Sequence, residues 1–118
     1  MSKGRIFLFL WDETEAEAAA LRIRAWGWDV ELEWQDGGRG SAAVKASLPD
    51  AVVLYLDRKP SHSRATAEHL AEAKATRNIP LLFVGGEDAA VEQTRAKLPE
   101  ATYTSEADLQ TALEELTL

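Results

Sequence analysis

With 118 residues, 46% of them apolar, the chain is long enough to bury the core of one domain without covalent staples. A formal charge of −7, from 20 acidic and 13 basic residues, argues against nucleic-acid binding through bulk charge, because phosphate contact wants a basic surface. The absence of cysteine excludes disulfides, thiol catalysis and thiolate metal sites, and a reducing compartment, the cytoplasm, is expected. An apolar patch at residues 6–11 is stopped by Asp12 and Glu13 too early for a signal peptide or a membrane span, so no membrane role is expected.

Residues 5–11 (RIFLFLW) form an apolar, aromatic run too short for a helix and read as a buried first strand. Ala16, Ala19, Ala20, Ile23 and Trp26 then recur at helical spacing over residues 14–26, with Thr14 as N-cap, Glu17 as its capping-box partner and Gly27 as the stop. Residues 28–34 alternate: Trp28, Val30, Leu32 and Trp34 on one side, Asp29, Glu31 and Glu33 on the other. This predicts a half-exposed edge strand whose three carboxylates discourage further pairing. Residues 36–41 (DGGRGS) read as a flexible loop before a short helix at 41–48, and they lack the spacing of a phosphate-binding motif.

The run within residues 48–60 is apolar, β-branched at Val52 and Val53, and closed by Asp57, Arg58, Lys59 and Pro60. It predicts a central strand covered on both faces. Ser61 or Ser63 caps the next helix, at 64–74, with Ala67, Leu70 and Ala71 inward. A strand at 79–84 follows, closed by Gly85 and Gly86, then a helix at 89–98 that buries Val91, Thr94 and Leu98. A weak strand at 101–104 leads to a last helix, 106–116, striped by Leu109, Ala112, Leu113 and Leu116. Five strands alternating with five helices predict one α/β domain over residues 1–118, with a parallel sheet and right-handed crossovers. The first, third and fourth strands are fully apolar and belong inside, which gives the order 2-1-3-4-5 of a flavodoxin-like (βα)5 fold. Its crevice lies at the carboxyl ends of the strands, so residues 55–64 are expected at the site.

In this order the chain resembles a bacterial response-regulator receiver domain over nearly its full length. The likeness rests on Asp12-Glu13 after the first strand, Gly27 after the first helix, Pro49-Asp50 opening the third strand, a proline soon after it, and Asn78-Ile79-Pro80 before the fourth. The resemblance implies a magnesium-binding acidic pair, matched by Asp12 and Glu13, and no other cofactor is expected. It also implies an Asp phospho-acceptor ending the third strand, a Ser/Thr ending the fourth and a Lys ending the fifth. Counted from Pro49-Asp50, the acceptor position falls on Tyr55, with Asp57 as the alternative register; strand length favours Tyr55. The Ser/Thr position falls on Gly85, and no lysine follows Lys97. The match therefore describes a degenerate, or pseudo-, receiver that is not an enzyme and works by binding a protein partner or a second copy.

Other constellations are weaker. Arg58, Lys59, His62 and Arg64 gather after the central strand, where they form either a solvated loop or an anion- or partner-binding lip. With Gly85-Gly86 and the 36–41 loop, Arg58 and Lys59 supply an alternative reading as a small-anion or nucleotide binder. Asp57, Ser61 and His62 lack the context of a nucleophilic triad, and His69 with Glu72 reads as a surface pair. Trp11, Trp26, Trp28 and Trp34 read mainly as core, with Trp34 partly exposed.

Overall fold

The computed structural model describes residues 1–116. In chain order the elements are β1 (Arg5–Phe9), α1 (Glu13–Ala25), β2 (Asp29–Glu33), α2 (Gly37–Ser47), β3 (Ala51–Tyr55), α3 (Pro60–Glu72), β4 (Leu81–Val84), α4 (Asp88–Lys97), β5 (Thr102–Thr104) and α5 (Leu109–Leu116). The five strands are parallel in the order β2-β1-β3-β4-β5, as the patterning predicts.

Apolar runs without alternation follow from this architecture, since each central strand feeds two cores through its period of two. One core takes Ile6, Leu8, Leu10, Val53, Tyr55, Leu82 and Val84 against α1 and α5. The other takes Phe7, Phe9, Trp11, Val52, Leu54, Leu56 and Phe83 with Val44, Ala67, Leu70 and Leu98 from the remaining helices. All five residues of β3 are buried, whereas none of the three in the edge strand β5 is. Trp11 and Trp28 are core residues; Trp26 and Trp34 are half-buried against it.

Four local expectations change. The N-cap of α1 is Asp12, whose carboxylate accepts the Glu15 N–H at 2.9 Å, so the Thr14–Glu17 capping box is not the start of the helix. Helix α3 begins at Pro60, four residues earlier than expected, because Lys59 takes a left-handed conformation (φ 46°) and proline suits the first turn. Ser63 is then inside the helix and buried, not its cap.

The third change is the glycine-rich stretch, which is not a flexible loop but the opening turns of α2. Asp36 caps it by accepting the Arg39 N–H at 3.0 Å. Close packing explains the glycines. A Cβ at Gly40 would overlap the Phe9 ring, and one at Gly37 would come within 2.6 Å of Thr66 Oγ1. Tertiary contact here outweighs the low helix propensity of glycine, about 1 kcal/mol per residue against alanine. Gly40→Ala is expected to destabilise the protein by about 1–3 kcal/mol in urea unfolding, the usual scale of overpacking. A near-neutral result would point back to a mobile loop.

The fourth concerns Glu33, expected on the solvent side of β2 but only 7% exposed. Its carboxylate takes Arg39 Nε and Nη2, both at 2.8 Å, and the backbone N–H groups of Gln35 and Asp36 at 3.0 and 2.9 Å. Arg39 above all, with the backbone donors, holds the Glu33 pKa down at about 2 against the opposing effect of burial. Since the folded pKa lies below the unfolded one, this stabilisation is fully present above the ordinary value of 4.5 and is lost as pH falls towards 2. Glu33→Gln should therefore lower Tm by several degrees at neutral pH, with the gap from the parent closing between those two pH values in a thermal-melt series.

Candidate functional site

The carboxyl ends of β1, β3, β4 and β5 form the crest where a doubly wound sheet places its site. β1 ends at Phe9, opposite Leu54, and the next two residues, Leu10 and Trp11, are buried. Asp12 and Glu13 therefore lie beyond the strand, on the first turn of α1. Asp12 is committed to the helix cap and Glu13 is exposed. Among the described residues no group of three or more His, Asp or Glu is arranged to hold a metal. Asp12, whose cap uses one carboxylate oxygen, and the exposed Glu13 are the oxygen donors nearest the end of β1 that a hard cation such as magnesium could use.

Tyr55 is the last residue of β3, level with Val84 of β4. Its side chain enters the core formed with α1 and α5, and its hydroxyl is buried without a hydrogen bond beside the ion pair of Arg22 and Glu106, 2.7 Å long. Burial, and then Glu106, push the phenol above its usual range, with Arg22 opposing, so it stays neutral at physiological pH. The Tyr55 carbonyl accepts the Ser63 hydroxyl at 2.7 Å, and Ser63 Oγ accepts the Trp11 indole N–H at 2.8 Å. The Trp11 ring in turn packs against His62, centroids 4.0 Å apart. This buried chain joins the ends of β1 and β3 to the first turn of α3.

Sequence reasoning placed Ser63 within the 55–64 segment at the site but missed its bond to Trp11, and it missed Arg22 and Glu106. The one available signal was Trp11, since a buried indole N–H usually finds a partner. Its partner lies 52 residues away and is not visible in the sequence.

Asp57 stands at the surface two residues beyond Tyr55, and its Oδ1 accepts the Gly86 N–H at 3.0 Å. Gly85 has φ 68°, and a Cβ there would overlap the Asp57 carboxylate, so both its backbone and its neighbour require glycine. Tyr55, Asp57 and Gly85 are thus brought together between β3 and β4. The basic residues are not. Arg58 pairs with Glu15 of α1, His62 turns to Trp11 and Gly37, and Arg64 reaches Gln93 of α4 at 3.2 Å. Lys59 remains exposed at the α3 N-cap.

The proposed parts of an anion cradle are likewise separated. Gly37 and Gly38 belong to α2 beside His62 and Thr66, while Gly85 and Gly86 surround a carboxylate. Asp57 and His62 have different partners, which removes the geometry of a Ser–His–Asp relay.

No family model matches the sequence, and no curated protein matches it. Solved structures do. The N-terminal domain of a response regulator receiver protein from Methanoculleus marisnigri JR1 aligns with TM-score 0.75 and 19% identity, covering 97% of this chain and 93% of that one. The chemotaxis protein CheY4 of Vibrio cholerae gives 0.79 at 12% identity, covering 98% of each chain. The receiver domain of the sensor histidine kinase PA1611 from Pseudomonas aeruginosa PAO1, solved with a magnesium ion in its active-site cleft, gives 0.73 at 16%, covering 97% of each. In strand order, connection and extent, this chain has the fold of CheY-like response-regulator receiver domains.

Proposed function

We propose that this chain is a receiver-type signalling module of the pseudo-receiver kind, which is not an enzyme and acts in the cytoplasm by binding a protein partner or a second copy of itself. The observation that carries this reading is Tyr55, a buried neutral phenol where β3 ends, in the position that the resemblance assigns to the phosphorylated Asp. A phenol cannot form an acyl phosphate. Phosphoryl transfer also depends on charge stabilisation around the equatorial oxygens. Here Gly85 stands where the resemblance implies a hydroxyl, and Tyr103, Thr104 and Ser105 stand around the position where it implies a lysine. Recognition would use the crest loops or the faces of α4 and α5, where receivers usually meet partners.

Asp57 supports a second reading, in which phosphoryl transfer persists in a shifted register, because its carboxylate is exposed and held by a backbone N–H at the β4 end. Amide NMR during titration with Mg²⁺ and then beryllofluoride separates the two. No beryllofluoride-dependent shift is expected at Asp57 or along α4 and α5. Saturable shifts there, spreading from Asp57, would establish a working receiver and overturn the proposal. A nucleotide screen by thermal shift is expected to stay flat, as the dispersed glycines and cations require.

A further inference from the structure

We propose that the cavity at the amino ends of β4 and β5, at the opposite end of the sheet from the crest, binds a small amphiphilic carboxylate, its hydrocarbon on the apolar floor and its head group at Arg77 and Lys97. The space is about 440 Å³, inside the range of about 300–1,000 Å³ usual for small-ligand sites. It opens where the second core is incompletely covered. Ala71 of α3, Ile79, Leu81 of β4 and Ala101 are only partly buried against that core, and with Leu98 they form one floor. A ligand's hydrocarbon seated there removes this apolar area from water.

The walls are tied before any ligand arrives. On one side, the connection from α3 to β4 is closed by its own hydrogen bonds. Thr76 Oγ1 donates to the Leu70 carbonyl at 2.7 Å, the Arg77 N–H to the Ala73 carbonyl at 2.8 Å, and the Ile79 N–H to the Thr76 carbonyl at 3.0 Å. On the other side, the Leu98 carbonyl accepts the Ala101 N–H at 3.2 Å and the Tyr103 hydroxyl at 2.8 Å. Pro80 and Pro99, with φ fixed by their rings, stiffen the rim. A preformed cavity spares the ligand the cost of ordering its walls.

Charge selects the head group. The polar residues of the lining are Arg77, Asn78, Lys97 and Glu100, so two cations face one carboxylate on a chain whose net charge is −7. Arg77 has no ion pair among the described residues, and Lys97 has only a loose contact with Glu68, at 3.8 Å. Glu68 and Glu72 line the adjoining groove between α3 and α4, not the cavity itself. Both cations are thus available as charge-assisted donors, and the guanidinium fork of Arg77 matches a carboxylate. The site goes beyond the pseudo-receiver reading and does not depend on it. It supplies an input to the domain that does not pass through Asp57.

Amide NMR of the full chain, titrated with octanoate, tests the site. Saturable shifts are expected at Ile79, Leu81, Leu98 and Ala101, with a Kd of about 0.1–1 mM, the scale set by small-ligand efficiency. Octanol and octylammonium carry the same hydrocarbon without the negative charge, and are expected to bind about tenfold more weakly or worse. A chain carrying both Arg77→Gln and Lys97→Gln should lose a similar factor for octanoate. Both side chains are exposed, so this variant keeps the parent's thermal melt.

An absence of saturable shifts, or shifts centred elsewhere, would overturn the site. So would equal binding of octanol or octylammonium, or an unchanged octanoate affinity in the double variant. The beryllofluoride titration reads Asp57 at the other end of the sheet, so this proposal and the pseudo-receiver reading fail separately.

Discussion

Burial of β3 on both faces is the constraint from which the rest of the structure follows. A strand enclosed in this way satisfies its backbone only through ladders to β1 and β4 and fills two separate cores with alternate side chains. Both cores need helical cover, which the βα alternation delivers to the two faces in turn. The carboxyl end of β3, where Asp57 lies exposed, is then one of the two ends at which this enclosed strand returns towards solvent.

The crest therefore has a recurring physical problem: polar groups that emerge next to apolar layers must find partners or lose about 1–3 kcal/mol each. Several solutions are visible. The Tyr55 carbonyl and the Trp11 indole share Ser63, Glu33 gathers four donors, and Asp57 takes the Gly86 N–H. Exposed ion pairs such as Arg58–Glu15 and Arg22–Glu106 contribute less, roughly 0–1 kcal/mol each. Their role is to connect α1 with the loops after β3 and β5.

These solutions leave little free chemistry. Trp11, Ser63 and Asp57 are engaged across elements, the Tyr55 phenol is enclosed, and Arg58, His62 and Arg64 face different neighbours. The functional proposal accordingly looks to recognition at this surface.

Hydrophobic period alone determined the element order, the sheet order and most of the core, because continuous apolar runs such as residues 51–56 have no stable place except between two helical layers. On the sequence alone the end of the third strand lies between Tyr55 and Asp57, with strand length favouring Tyr55, and the structure ends β3 at Tyr55. Tertiary structure decided the rest. The stretch 36–41 reads as a turn until Phe9 and Thr66 are placed against it, and Glu33 reads as a solvent carboxylate until Arg39 swings back from α2. Asp12 and Glu13 look like a free acidic pair until the first of them caps α1. In each case local propensity is worth about 1 kcal/mol or less, while one close packing contact or one buried, satisfied charge is worth more. Partners distant in sequence, as Ser63 is for Trp11 and Glu106 for Arg22, are set by the fold and leave no local pattern to read.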